Sequence, residues 1–394
     1  MDRRAVLIAS VGAGVVVSGI VGIAPAIPAM QVALALSDAE VSLLTSLYLL
    51  PSIFAALPAG LLADRIGTRS VFAGSLAVFG AGGAVLLFAH SLWELLAVRA
   101  VQGAAFGIVL ALSVSIIADV ASTGPAAAKG QSRRVIAMAA GDAAFPLAGG
   151  ALVAVSWYAP FAVQLLALPV AVAAWFLLPR GVPSRPSGGG VRQDARSVFR
   201  APAVAGVQTL GALRFFFKFA VMTYFPLYAV TELGLSAAAV GAALGASSLL
   251  AVASAAAAEK VSRYLSAAQV IGVCLLTTAV ALSGMALVPT AIAAVVAILL
   301  FGLQDGLYAV GHNVLVTEMA PAGQRSAYIG VTGAIRNVGK FVAPVAFGAT
   351  TVVVTLGQAF LVFAGVGLAA SLLARRVHRV EAETLRAAEA AVPR

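Results

Sequence analysis

Apolar runs of about twenty residues recur twelve times along this chain, each ended by a cluster of Gly, Pro, Ser or charged residues. A helix needs roughly 20 apolar residues to cross the hydrocarbon core of a bilayer, so runs of this length dictate a membrane-spanning fold. They lie near 5–27, 41–63, 70–89, 92–118, 134–155 and 158–178, then near 203–230, 237–257, 267–288, 290–317, 326–350 and 355–374. Lipid offers no partners to backbone N–H and C=O groups, which leaves only helices or a closed barrel. The runs are far longer than barrel strands of ~10 residues and lack their alternation. The pattern therefore predicts an all-α membrane protein with twelve transmembrane helices. Composition agrees, since 61% of the residues are hydrophobic and 10% charged, where a soluble domain averages about 45–50% and about 25%. The single cysteine, Cys274, lies in an apolar run, which rules out an intramolecular disulfide framework and suggests a small core residue.

A formal charge of +10 would suggest nucleic acid in a soluble chain. Its placement points to a bilayer and away from nucleic acid. Alternate breaks hold Arg3 and Arg4, Arg65 and Arg69, Lys129 with Arg133 and Arg134, the arginines of 180–200, Lys260 and Arg263, Arg325, and the tail from Arg375. The intervening breaks hold Asp38, Glu40 and Glu232 and no Lys or Arg. Basic residues favour cytoplasmic loops, so a multi-pass inner-membrane protein with both termini in the cytoplasm is expected. The opening segment has an apolar core too long for a signal peptide despite the "APA" at 24–26, and reads as a retained first span.

The stretch 180–200 is rich in Pro, Gly, Ser and Arg and reads as a cytoplasmic linker. It divides the chain into a six-helix bundle over 1–179, a second over 201–374, and a tail over 375–394. The halves repeat. "LALSDAEV" at 34–41 matches "LGLSAAAV" at 233–240, and Gly103 and Gly107 match Gly302 and Gly306, at an offset of 199. "GDAAFPLAGG" at 141–150 matches "GKFVAPVAFG" at 339–348 at an offset of 198. An even number of spans per half makes the repeat parallel, as in carriers that rock two bundles about a central site. Ser37 with Glu40 forms a capping box for the second span.

Several stretches carry more specific patterns. "GLLADRIGTR" at 60–69 contains Gly60, Leu62, Asp64, Arg65, Gly67 and Arg69 at the spacing of the loop between spans 2 and 3 of the major facilitator superfamily, with Thr68 in place of a basic residue. Gly67 permits a tight turn, Asp64 suits the positive end of a neighbouring helix, and Arg65 suits an acid such as Asp119. "AAAAEKVSRY" at 255–264 is a degraded copy. "LLAVRAVQGAAFG" at 95–107 is similar to the span 4 pattern of proton-coupled members through Leu95, Arg99, Gln102 and Gly103. "GDAAFPLAGG" resembles the span 5 signature of drug/proton antiporters through Gly141, Pro146, Gly149 and Gly150, with Phe145 replacing a central glycine. "TEMAPAGQRSAYIG" at 317–330 and "RNVGKFVAP" at 336–344 resemble spans 10 and 11 of the same subgroup. The chain thus resembles the twelve-helix drug/proton antiporters of that superfamily over nearly all its length. The resemblance implies that Asp64 touches span 11 to latch the two halves, that Arg99 lies at their interface and tunes proton movement, and that the carrier exports amphipathic small molecules against inward proton flow.

Seven charged residues lie well inside the spans, away from their first and last few positions: Arg99, Asp142, Arg214, Lys218, Asp305, Arg336 and Lys340. A charge at the centre of a membrane helix costs about 2.5–3.5 kcal/mol on insertion scales, so these must face the interior or water. Arg336, Lys340 and Pro344 lie four apart on span 11, and Arg214 and Lys218 four apart on span 7. Asp142 occupies the repeat position of Lys340. One reading pairs Asp305 with Arg336 or Lys340, and Asp142 with another cation, as static bridges. Two acids cannot neutralise five bases, so the other reading has Arg214, Lys218, Arg336 and Lys340 lining a central cavity that attracts a negatively charged substrate. Aromatic residues around the span 7 pair, among them Phe215 and Tyr224, are candidates for its wall. A carboxylate that gains a proton when desolvated and loses it near a cation is a proton switch, which assigns coupling to Asp142 or Asp305 with Arg99. His312 reads as a satisfied hydrogen bonder. The expectation is a monomeric proton-coupled exporter of amphipathic small molecules needing no cofactor or metal; the alternative is a carrier for organic anions or anionic lipids. No metal-ligand spacing, phosphate-binding loop or sizeable extramembrane domain supports an enzyme.

Overall fold

The computed structural model describes residues 2–120, 125–179, 202–319 and 325–390. The 180–200 linker and part of the 317–330 motif lie outside the described residues. The described chain is helical, with α1 (Arg3–Ala33), α2 (Asp38–Ile66), α3 (Thr68–Leu86), α4 (Leu92–Val120), α5 (Pro125–Leu152) and α6 (Ala159–Leu177) in its first half. The second half holds α7 (Pro202–Thr231), α8 (Ala237–Val261), α9 (Ala267–Leu287), α10 (Ala291–Glu318), α11 (Arg325–Thr351) and α12 (Leu356–Ala390). Among the described residues, 11 segments are long and apolar enough to cross a membrane. The exception is α11, where Thr332, Arg336, Asn337 and Lys340 interrupt the apolar run.

Two elements depart from an uninterrupted span. The first is longer than the expected 5–27 and broken: Arg3–Val16, Ser18–Val21 and Ile27–Ala33 are separate α-helical pieces, with a 3-10 turn at Ala24–Ala26. Pro25 and Pro28 explain the break between Val21 and Ile27, since a proline lacks an N–H and crowds the carbonyl four residues back. The sixth opens as a 3-10 helix, Ala159–Leu166.

Contacts group Met1–Ser187 with Met222–Gly245 in one unit, and Gly188–Val221 with Ala246–Arg394 in another. In the first unit α2 packs on α4, where Cβ atoms on Gly103 and Gly107 would collide with the carbonyls of Tyr48 and Ser52. In the second, Gly302 and Gly306 meet the carbonyls of Ser247 and Ala251 in the same way, every position shifted by 199. The other repeat is equally literal. A Cβ on Gly141 would lie 2.7 Å from Gly14 O, and its counterpart Gly339 abuts Ala212 O. Lipid tails are as apolar as the side chains, so helices in a membrane gain by close backbone approach, which small residues permit. The first unit adds Gly149 against Gly22, Gly150 against Ala237, and Gly241 against Pro146 O.

Local signals hold the ends. Ser37 and Glu40 form the expected capping box on α2, and Ser266 with Gln269 forms another on α9. The turn before α2 places Ala35 at φ 51°, and its repeat partner Gly234 stands at φ 68°. Glycine adopts this left-handed backbone freely, whereas alanine does so at a cost. Beyond α7, burial and then the charge of Asp38 raise the Glu232 carboxyl above its ordinary range. Gln102 joins the α3, α4 and α6 core, donating to Phe79 O at 2.9 Å and Gln164 Oε1 at 2.5 Å.

Gly302→Val should cost about 1–3 kcal/mol through overpacking and lower the Tm of detergent-purified protein by several degrees. Gly365→Ala, where nothing lies within 4 Å of an added Cβ, should leave Tm unchanged or slightly raised. Equal losses at both sites would show that close approach at Gly302 carries no stability.

Candidate functional site

In the second unit α7 lies between α10 and α11, and side chains at helical spacing fix both contacts. Asp305, Tyr308 and His312 are three and four apart, so they share one face of α10. Tyr308 donates its hydroxyl to Leu210 O at 2.9 Å, and His312 Nε2 lies 2.9 Å from Val207 O. On the other side, Gln208 Nε2 donates to Thr332 Oγ1 of α11 at 2.9 Å.

That framework brings Arg214, Lys218, Asp305, Arg336 and Lys340 into one region. Arg214 Nε stands 2.8 Å from Asp305 Oδ1, and Lys218 Nζ 3.3 Å from Asp305 Oδ2. Asp305 therefore pairs with α7 and not with Arg336 or Lys340, because its face of α10 is the one turned to α7. Its side chain is 7% exposed, so each oxygen gains a charged partner in place of lost water.

Arg336 and Lys340 of α11 have neutral partners. Arg336 Nη2 lies 2.6 Å from His312 Nδ1 and donates to Asn313 Oδ1 at 2.7 Å. An arginine only donates, so His312 accepts through Nδ1 and carries its proton on Nε2 toward the Val207 carbonyl. Arg336 Nε is buried with no hydrogen-bond partner among the described residues. Lys340 Nζ donates to Asn337 Oδ1 at 3.0 Å. The Phe215 ring gathers three of these charges, with Arg214 at 4.8 Å, Lys340 at 4.7 Å and Arg336 at 6.0 Å from its centroid. Such contacts soften the isolation of a cation without neutralising it. Four cations gather near one carboxylate here, and that carboxylate is paired with two of them, Arg214 and Lys218.

Other expected site residues lie elsewhere. Tyr224 belongs to the first unit, fully buried, with its hydroxyl donating to Asp38 O at 3.0 Å. The neighbouring phenylalanines mostly pack: Phe216 stacks on Phe363 at 5.1 Å, and Phe217, Phe219 and Phe225 are buried. Arg99 sits in the first unit at 1% exposure, donating to Gly19 O at 2.5 Å and Leu44 O at 3.4 Å, its guanidinium 4.1 Å above the Tyr48 ring. Asp142, half-buried on α5, is also in that unit, between the packing residues Gly141 and Pro146. Asp64 and Arg65 are exposed at the end of α2, and among the described residues no ion pair joins Arg65 to Asp119. Asp119 lines a small recess with Thr68 and Arg69, whose guanidinium covers the Trp175 ring at 4.8 Å. Gly67 makes the turn at φ 91°, while Gly60 faces open space. Cys274 is buried and free, its thiol directed at Gln304 O. His312, Asn313 and Asn337 join the cluster unforeseen as site residues; the seven-residue spacing of His312 from Asp305 was the available signal.

The chain belongs to the Major Facilitator Superfamily, whose family model matches residues 7–344 and again 209–393, restarting in the second half as a repeat would. Solved structures of the same fold include a POT family peptide transporter in complex with sulfate, at TM-score 0.80 and 15% identity over 96% of this chain and 94% of that one. A D-xylose–proton symporter gives TM-score 0.75 and 17% identity over 94% and 96%. Among curated proteins, the multidrug transporter protein MdtP of Bacillus subtilis (strain 168) is 31% identical over 168 residues, 42% of this chain and 30% of that relative. The inner membrane transport protein YajR of Escherichia coli (strain K12) is 34% identical over 83 residues, 21% and 18% of the two lengths. The matches thus span less than a third of the length of either curated relative. As a member of that family this protein is a multi-pass membrane transporter.

Asp305→Asn should leave Arg214 and Lys218 without their acid, cost about 3–5 kcal/mol, and lower Tm sharply. Adding Lys218→Met to that variant should restore part of the loss, since one stranded charge disappears. Equal Tm for Asp305→Asn and the wild type would contradict the ion-pair assignment.

Proposed function

We propose that this carrier exports amphipathic small molecules bearing an anionic group, by alternating access and at the expense of an inward proton gradient. The supporting observation is the surplus of positive charge in the second unit. Arg336 and Lys340 have neutral partners, whereas Asp305 is already shared by Arg214 and Lys218. A carboxylate, sulfonate or phosphate ester would offer acceptors to Arg336 Nε and Lys340 Nζ, and the apolar part of the same molecule would lie on Phe215. Export is supported by the name of the relative MdtP, a multidrug transporter. In this reading the basic helix ends face the cytoplasm, the chain works as a monomer in the inner membrane, and Asp64 with Arg65 latches one conformation.

Coupling falls to the two intramembrane carboxylates, with Arg99 as a fixed charge. A proton reaching Asp305 would release Arg214 and Lys218 to other partners. Asp142, at the repeat position of Lys340, offers a second proton site in the other half. A carrier for organic anions or anionic lipids working in either direction would use the same cations and differ only in the sign of net movement.

Proteoliposomes under an imposed pH gradient provide the test, with amphipathic carboxylates and their amine counterparts as substrates. Gradient-driven movement of the carboxylates should fall about tenfold or more in Arg336→Ala/Lys340→Ala, as expected for losing hydrogen bonds to charged groups. Asp142→Asn should retain binding and lose the response to the gradient. Movement of the amines alone, unchanged in the double variant, would contradict the anionic reading.

A further inference from the structure

We propose that a groove between α9 and α12 binds an anionic phospholipid, its phosphate at the basic end and one acyl chain along the apolar floor. The groove has a volume of about 320 Å³ and lies wholly within the second unit. It exists because small residues meet where the two helices pack: Ala268 and Gly272 on α9, Ser371 and Ala374 on α12. Nearest an added Cβ on Gly272 is Ala374 Cβ at 3.6 Å, an ordinary contact, so a larger side chain there would extend into the groove.

Polarity changes along its length. Gly272, Val273 and Leu276 line the apolar end, and Val273 is 53% exposed in a helix apolar enough to cross a membrane. From Ala268 to Leu276 the α9 side runs about 12 Å at 1.5 Å per residue. At the other end stand Gln269, Arg375 and His378. Arg379, one turn beyond Arg375, is also exposed. His378 Nδ1 lies 3.0 Å from the hydroxyl of Ser266, the residue that caps α9. The polar end thus combines the lining Arg375, with exposed Arg379 one turn further along α12, an imidazole tied to the neighbouring helix and the start of a 21-residue helix. Helix starts and arginines both favour phosphate oxygens. No Asp or Glu is among the lining residues.

Position and charge together select the occupant. An apolar channel open to hydrocarbon admits an acyl chain, and basic residues at the helix end attract an anionic headgroup. A second copy of this chain would bring the same arginines against its partner, which disfavours it as the occupant.

The test uses the full chain purified in detergent, titrated with phosphatidylglycerol or with phosphatidylcholine of identical chains, and read by Tm and by native mass spectrometry. Phosphatidylglycerol should raise Tm and remain bound, with phosphatidylcholine at least about tenfold weaker. Arg375→Gln and Arg379→Gln should each weaken the preference about fivefold. Both side chains are exposed, so the unliganded Tm should hold. Gly272→Leu, with the arginines intact, should lose the bound lipid by blocking the floor. Equal effects of the two lipids, or a Gly272→Leu variant that keeps the preference, would overturn the proposal. So would a Tm shift reproduced by inorganic phosphate alone, which would mark a soluble-anion site, or lipid-induced dimers in the mass spectrum.

Discussion

Backbone-to-backbone contact at glycine is what the rest of this structure depends on. Helices in lipid gain little from burying apolar side chains against one another, so their depth and rotation must be set by shape. Gly302 and Gly306 press α10 onto the carbonyls of Ser247 and Ala251, and Gly339 presses α11 onto Ala212. Ala212 lies two residues before Arg214, and Gly339 lies one before Lys340. The same contact that joins α7 to α11 therefore brings their cations to one level around the Phe215 ring. Asp305 is three residues past Gly302 on a helix whose rotation that glycine helps to set. Packing and charge placement are two consequences of one geometry.

The halves share this scaffold and use it differently. Arg99 spends its charge on the carbonyls of Gly19 and Leu44 and on the Tyr48 ring, inside the first unit. The carbonyl of Gly19 belongs to the broken first span, where the helix cannot supply its own partners throughout. Arg99 therefore serves packing as directly as any apolar residue, whatever part it plays with protons. Its repeat position, offset by 199, is Ile298. The second half collects four cations around one acid, whereas the first half offers Asp142 at the place of Lys340. At one matching position, Asp142 and Lys340, the duplicated plan carries opposite charges, and at another, Arg99 and Ile298, a charge is matched by an apolar residue.

Much of this was legible in the sequence. Twelve apolar runs defined the spans, and constant offsets in Gly103, Gly107, Gly141 and their partners foretold contacts that recur at those same offsets. Stripes at i and i+4 placed Arg214 with Lys218 and Arg336 with Lys340. Pairing was not legible. Periodicity gives the face of one helix but not the rotation of its neighbour, so Asp305 was free on paper to choose α11. Tyr224 looked like a companion of Lys218 because it follows six residues later on the same helix, yet its hydroxyl serves Asp38 O. The break in the first span was foreshadowed by Pro25 and Pro28, but overall apolarity masked it. Polar partners such as Asn337 and His312 carry no charge pattern, so only the folded chain shows their roles.

The account rests on Arg336 and Lys340 being held for a negatively charged ligand. Thermal unfolding of the purified protein with matched anionic, zwitterionic and cationic amphiphiles, repeated on Arg336→Ala/Lys340→Ala, addresses that most directly. Stabilisation by the anionic members that disappears in the double variant is the predicted result. Stabilisation by the cationic members that persists in the variant would contradict it, and would make both side chains parts of the packing alone.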